Sequence, residues 1–392
     1  MSNTSTVTSK RYVSLDVLRG LTVAFMCIVN NPGSWSHIFP PLEHAGWNGC
    51  TPTDLVYPFF LFCVGCAMAF SFSKRETVSK ATYWTVIRRG LLIFLVGLLC
   101  NLYPFFPTSL HDPSASFGSN YVYWLAHKRI FGVLQRIGCS YMIAGCIALW
   151  LRRPGKIMIA MGVLMTVYTL ILLIFGSDPG PFTLEGNISG KMDVALLGDN
   201  HVYHGYSNAD GNAVAFDPEG PLGSLTGACT ALLGYLIGSM IIRSGKRYSS
   251  DPSMIESSPI GVVSRTMVYG CLSLGLAMIL SIWIPISKAL WSASYVLYAG
   301  GWAMLALGFL MYWIDVRGYE KPFTVFKIMG TNALTAFVMS AVLVKTWSPL
   351  GFNQAKWFGA NEYTSLLWAL IFAFIIFCIQ WVLYKKKIII KL

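Results

Sequence analysis

The sequence predicts an all-α membrane protein, a single helical bundle that crosses the bilayer about ten times. Three observations carry this. Charged residues are 12% of the 392 and hydrophobic ones 55%, against about 25% charged in an ordinary soluble domain. The apolar residues come in long blocks, each close to the roughly 20 residues needed to cross a hydrocarbon core of about 30 Å. The blocks show no strand-like alternation. Backbone groups in lipid must bond within their own segment, so the blocks are helices.

In chain order the predicted spans are Val13–Asn31, Leu55–Ser73, Thr82–Leu102, Ile130–Leu151, Ile157–Phe175, Gly223–Ile242, Gly261–Ile284, Ala293–Ile314, Phe323–Val344 and Thr364–Tyr384. Basic residues then orient them. Lys10, Arg11, Lys74, Arg75, Lys80, Arg88, Arg89, Arg152, Arg153, Lys156, Arg243, Lys246, Arg247, Arg265, Arg317 and Lys321 precede the first block, fall in the even-numbered loops or, for Arg88, Arg89 and Arg265, lie near the start of the span that follows such a loop, and "YKKKIIIKL" adds four lysines on the same side. The odd-numbered loops hold Lys128, Arg129, Lys191, Lys288, Lys345 and Lys356. By the positive-inside rule both termini are cytoplasmic, as an even number of spans requires. The net charge of +12 is therefore a topology signal first. No basic run is interleaved with aromatics, so nothing points to nucleic acid. The polar first ten residues and the length of the first block argue against a cleavable signal peptide.

One domain covers residues 1–392, with a long extracytoplasmic loop at about 176–221, rich in Gly, Asp and Asn. That loop suits either a lid over an outer-face site or a solvated connector. The cysteines lie mostly inside spans, which argues against a disulfide framework. Cys63 and Cys66 form a CxxC at lipid depth, where small buried residues are the simpler account.

The stretch "LEHAGWNGCTPTDLVYPFFLF" carries the chemistry. His44 lies in the first outer loop, and Asp54, ten residues on, opens the second span. Asn30 and Asn31 end the first span at the same level, so the outer face gathers Asn30, Glu43, His44, Trp47, Asn48 and Asp54. A neutral imidazole can take a proton from an amine or hydroxyl, or attack an acyl carbonyl itself. An aspartate that keeps one ring nitrogen protonated presents the other as base or nucleophile. Asp54 also suits the first turn of a helix capped by Thr51 or Thr53, and the two roles are compatible. All six histidines fall on the outer half. His201 and His204 in "HVYH" lack an evident third ligand, so no metal site is assigned.

Asp16 and Arg19, one helical turn apart in "SLDVLRG", can pair with each other. Gln135 and Arg136 in "HKRIFGVLQRIGCSY" enter the membrane with the fourth span. An arginine at that depth should face the bundle interior and find an anion, either on a ligand or within the chain.

At this point the motifs carry a resemblance. "SLDVLRGLTVAFMCIVNN", "LEHAGWNGCTPTDLVYPFFLFCVG" and "RIFGVLQRIGCSY", in that order, resemble the catalytic domain of the heparan-α-glucosaminide N-acetyltransferase family. The family's large extra-membrane domain ahead of the bundle has no counterpart in this sequence. The resemblance implies a transmembrane acyltransferase that takes acetyl from cytosolic acetyl-CoA and delivers it to an amino sugar or glycan across the membrane. It implies that His44, Asp54 and Asn30 are the catalytic residues. Coenzyme A then calls for anchors, for which Arg19, Arg88, Arg89, Gln135 and Arg136 are the candidates. Glu43, Trp47 and Asn48, beside His44, are the candidates for the acceptor. It further implies a homodimer, and the setting expected is a bacterial cytoplasmic membrane. A transporter of amino sugars or oligosaccharides, with the same polar residues lining a path, is the alternative.

Overall fold

The structure is a computed structural model that describes residues 12–75, 77–347 and 349–390. Lys10, Arg11 and Lys391, all counted toward the basic side, lie outside the described residues. The helices are α1 (Val13–Val29), α2 (Val56–Phe72), α3 (Lys80–Leu102), α4 (Phe117–Ala126), α5 (Val133–Leu151), α6 (Pro154–Phe175) and α7 (Ile188–Leu197). A two-stranded hairpin follows, β1 (Tyr206–Ser207) with β2 (Ala213–Val214). Then come α8 (Ser224–Ser250), α9 (Pro259–Leu280), α10 (Ala293–Leu310), α11 (Thr324–Thr331), α12 (Ala333–Trp347), α13 (Gln354–Phe358) and α14 (Glu362–Lys385).

Eight of these segments are long and apolar enough to cross a membrane, and α11 with α12 makes a ninth if the bent pair is one span. The predicted first span, α1, has 17 residues, about 25 Å at 1.5 Å per residue. Each predicted block is thus a helix or a bent pair. The ninth differs most: it breaks between Thr331 and Ala333 with a bend of 70°. The break is paired off by side chain rather than by the helix ladder. Asn332 Nδ2 donates to the Ile388 carbonyl at 2.9 Å, and the Ile390 N–H donates to Asn332 Oδ1 at 3.0 Å. The two short helices α4 and α7 lie outside every predicted span, since neither is long enough to register as a membrane block.

Close helix approaches are made by glycine. A Cβ on Gly65 of α2 would sit 1.8 Å from the Ala231 carbonyl of α8, and one on Gly234 of α8 would sit 2.0 Å from the Phe62 carbonyl of α2. Gly20 of α1 meets the Phe326 carbonyl of α11 in the same way, at 1.7 Å. These are backbone atoms that cannot swing aside, which is why small residues mark helix crossings in membranes. Helices α5, α8 and α10 are the most enclosed, and α3, α6 and α14 turn broad apolar faces outward. The largest core cluster joins Tyr57, Leu61, Leu134, Tyr141, Leu232 and Tyr295 from α2, α5, α8 and α10 with Trp291 just before α10. A second, on Val23, Met329, Trp368 and Phe372, ties α1 to α11 and α14.

The segment at 176–221 is packed rather than loose. Phe182 and Leu184 join Phe216, Leu290 and Trp47 in one apolar cluster. α7 rests on α6, and on the chain just ahead of α8, through Ile188, Met192, Tyr168, Leu172 and Leu222. Within α7, Asp193 is fully buried, and neither of its oxygens has a hydrogen-bond partner among the described residues. Burial, followed by the charge of Asp217, pushes its pKa up to about 8. The charges of Arg136 and Arg129 pull the other way but are outweighed, because desolvation penalises the anion.

Candidate active site

The site begins with a carboxylate that organises its own loop. Asp54 lies in a 3₁₀ turn, Pro52–Leu55, at the head of α2. Its Oδ2 accepts from the backbone N–H groups of Ala45 and Thr51, each at 3.0 Å, and lies 3.1 Å from Thr51 Oγ1. Its Oδ1 meets His44 Nδ1 at 2.7 Å. The group is 1% exposed, so the loop is folded around it and not around solvent. Thr51 Oγ1 also donates to the Glu43 carbonyl at 2.6 Å, which closes the ring of contacts. Gly49, at φ +102°, turns the chain between histidine and aspartate.

This geometry fixes the tautomer. A bond of 2.7 Å to a carboxylate oxygen already satisfied only as an acceptor requires the proton on Nδ1, which leaves the lone pair on Nε2. The His44 side chain is 45% exposed, so Nε2 is accessible to a reactant.

A second strap lies across the loop. Gly49 N–H donates to the Ile286 carbonyl at 2.7 Å, and Ser287 Oγ donates to the Trp47 carbonyl at 2.8 Å. The strap brings in Lys288, whose Nζ is 3.0 Å from His44 Nδ1, 3.4 Å from Nε2 and 3.4 Å from Asp54 Oδ1. Sequence spacing does not mark Lys288 as a site residue. The one signal was its place in a short odd-numbered loop, where the orientation rule disfavours a cation.

His44 stands between cavities. An inner one of about 130 Å³, inside the bundle, is lined by Thr22, Met26, Asn30, His44, Tyr57, Phe60, Ile137, Glu219, Lys288 and Phe337. An outer one of about 380 Å³ shares His44, Glu219 and Lys288 and adds Asp54, Trp47, Arg129, Tyr203 and Tyr206. A third, of about 480 Å³, adjoins the inner one through Phe60 and Ile137 and reaches Arg19, Arg89, Tyr141, Asn332, Ile389 and Ile390. Shared walls thus link the cavity of the arginines to the inner one and the inner one to the outer, with His44 lining both of the latter.

The outer cavity has charged walls. Arg129 donates to Asp217 through Nε at 2.8 Å and through Nη2 at 2.6 Å, and it also pairs with Glu219. Burial alone would raise the pKa of Glu219, but the charges of Arg129, Arg136 and Lys288 outweigh it and hold the carboxyl below its usual range. Trp47 stands edge-on to Tyr206 and Phe216, with ring centroids 5.6 and 4.9 Å away, and its Nε1 donates to the Phe182 carbonyl at 2.6 Å. The long segment therefore supplies one wall of the site: it is a built cover, not a solvated connector. Glu219, Arg129 and Tyr206 are further site residues that sequence spacing does not find.

The other expected residues divide. Asn30 lines the inner cavity beside His44, as its level at the end of α1 implies. Trp47 lines the outer cavity, whereas Glu43 and Asn48 are exposed and line none of the three. Arg19 and Arg89 share the third cavity; Arg19 is also held by Asp16 at 2.7 Å and by the Gly330 carbonyl at 2.8 Å. Arg88, the next residue on α3, is exposed and does not line that cavity, because consecutive helical residues point about 100° apart. Arg136 and Gln135 are not brought to Arg19 and Arg89. Arg136 Nη1 donates to the Pro218 carbonyl at 2.5 Å, and its guanidinium stacks 5.0 Å from the Trp291 ring. A Cβ on Gly223 would strike its Nη2 at 1.5 Å. Gln135 Nε2 donates to the Ile130 carbonyl at 2.8 Å. Arg136 thus anchors the cover, while Gln135 is spent on the chain entering α5. His201 Nδ1 meets the Lys128 carbonyl at 2.7 Å and His204 Nε2 meets Asp199 at 3.3 Å.

Fold and site together define a multi-pass membrane bundle with a histidine–aspartate pair between an internal passage and a charged, aromatic cavity. Within that class the resemblance read from the motifs holds. Residues 11–184 match the family described as heparan-alpha-glucosaminide N-acetyltransferase, catalytic. The chain is similar to heparan-alpha-glucosaminide N-acetyltransferase of Mus musculus, 27% identical with 98% of this chain aligned, and to that of Homo sapiens, 26% identical with 97% aligned. It spans 61% and 60% of the length of those relatives.

Proposed function

We propose that this chain is a transmembrane acetyltransferase. It moves an acetyl group from cytosolic acetyl-CoA to an amino sugar or glycan on the far side of the membrane. The observation that carries this is the position of His44, held by Asp54 at 2.7 Å and set where the passage from Arg19 and Arg89 meets the cavity of Trp47, Tyr206 and Glu219. The names of its relatives favour group transfer over transport of a sugar.

In this account the nucleotide end of the donor sits among the basic residues at the Arg19 and Arg89 mouth. Its acyl arm threads past Phe60 and Ile137 toward His44. Arg19 and Asn30 are separated along α1 by about 17 Å of helix rise, a distance suited to an extended arm and not to a compact headgroup. The acceptor occupies the outer cavity, where Glu219 offers a carboxylate to its hydroxyls or ammonium and the aromatic rings offer apolar faces. His44 Nε2 then takes the amine proton as general base, or receives the acetyl group itself before passing it on. Asp54 stabilises the imidazolium or acyl-imidazolium and keeps the ring in register. On the same account both termini are cytoplasmic and the chain resides in a bacterial cytoplasmic membrane.

The test is calorimetric binding of acetyl-CoA to purified protein, wild type and His44→Ala, followed by transfer of labelled acetyl to glucosamine. The expected result is micromolar binding by both proteins and transfer by the wild type alone. If neither binds acetyl-CoA while both stay folded, the enzyme loses its donor and the proposal fails.

A further inference from the structure

We infer that Lys288 is a further catalytic residue, the cation that stabilises the oxyanion formed when the acetyl group is transferred at His44; the inference rests on the transfer proposed above.

Three observations support it. The Lys288 Nζ touches both nitrogens of the His44 ring, at 3.0 and 3.4 Å, and lies 3.4 Å from Asp54 Oδ1. The only proton on Nδ1 is committed to Asp54, so Lys288 does not serve as a second partner for that nitrogen. It stands beside the ring, drawn there by the Asp54 carboxylate, with Glu219 and Arg129 as the other charged groups of the shared cavity. Second, the residue is preorganised. Ile286 and Ser287 are bonded to Gly49 and Trp47, and the Ser287 N–H donates to Ser292 Oγ at 3.2 Å, so the strap that carries Lys288 moves with the His44 loop. Third, Lys288 lines both the inner and the outer cavity. Donor carbonyl and acceptor amine would meet at that boundary.

The chemistry requires such a group. The acceptor nitrogen forms a bond to the thioester carbon, and the carbonyl π pair moves onto oxygen. The amine proton goes to His44 Nε2. Collapse of the oxyanion then breaks the carbon–sulfur bond and expels the coenzyme A thiolate, which takes the proton from His44. His44 handles the proton and Asp54 the imidazolium charge, so neither neutralises the oxyanion. A fixed cation within reach of Nε2 does, and it needs no reorganisation during the step.

The experiment compares wild type, Lys288→Met and Lys288→Arg for acetyl-CoA affinity, melting temperature and kcat of transfer to glucosamine. Removing one such group costs about 10²- to 10³-fold in kcat. We therefore expect that loss in Lys288→Met, acetyl-CoA affinity within about twofold of wild type, and partial recovery in Lys288→Arg, which keeps the charge. Lys288→Gln replaces the methionine variant if the latter melts early. A methionine or glutamine variant that transfers as fast as a transferring wild type overturns this inference alone. A folded wild type that transfers nothing overturns the transfer proposal and this inference with it.

Discussion

Asp54 does two things with one carboxylate. One oxygen closes the turn that starts α2, through Ala45 and Thr51, and the other holds His44. An asparagine there keeps the size but presents an amide where acceptors are needed, and it permits the wrong imidazole tautomer. Asp54→Asn should lower kcat by about 10²-fold or more and lower the melting temperature, because a cap is lost as well. An Asp54→Asn protein with wild-type turnover would refute the role of the ring-holding bond. Three of the six cations outside the basic side are also explained one residue at a time. Arg129 is paired with Asp217 and Glu219, Lys288 with Asp54, and Lys345 donates to the Cys100 carbonyl at 2.6 Å. What weakens an orientation signal in the sequence is, in the structure, a set of specific contacts.

At the scale of elements, bundle geometry depends on a few positions where a side chain has no room. The α2–α8 crossing is the clearest, with Gly65 against the Ala231 backbone and Gly234 against that of Phe62. Gly65→Ala must push two helices apart, a strain of roughly 1–3 kcal/mol. It should lower the melting temperature in detergent, whereas Gly162→Ala, at a position with open space around it, should not. Equal melting of the two variants would mean that the crossing is looser than its distances imply. The break at Asn332 belongs to this scale too. Hydropathy runs unbroken through 323–344, so sequence reads one straight span. The bend arises because Asn332 bonds the backbone at Ile388 and Ile390, a partner over 50 residues away.

At the scale of the whole molecule, the cover over the outer cavity couples protonation to stability. Asp193 lies within it with its pKa pushed up to about 8 by burial and by the charge of Asp217. Unfolded, the same group titrates near 4. The folded protein therefore holds a proton that the unfolded chain releases across roughly pH 4 to 8, and stability from this group falls as pH rises through that window. Asp193→Asn keeps the shape without the charge. Its melting temperature relative to wild type should rise steadily between pH 5 and pH 8, as measured by thermal unfolding in one detergent. A constant difference across that range would show that Asp193 does not titrate with folding.

Much of this was legible in the sequence, for identifiable reasons. The helices follow from the number of apolar residues in a row and from the need of a backbone in lipid to bond to itself, both properties of a local window. The His44–Asp54 pair was legible because its members are ten residues apart in a glycine-rich loop that ends at a helix start. The pairing of Asp16 with Arg19 follows from a single helical turn. Other features depend on which helices become neighbours, and hydropathy is indifferent to that. Lys288 reaches His44 across 244 residues, and Arg129 reaches Asp217 across 88. Arg136 was legible as a buried cation in need of an acceptor, but only packing chose the Pro218 carbonyl and the Trp291 ring over a donor anchor. Sequence alone thus determined the class of molecule and the core of its site. Tertiary structure decided the cavities that flank it, the cover above it and the cation beside the histidine, because those arise where segments far apart in the chain come together.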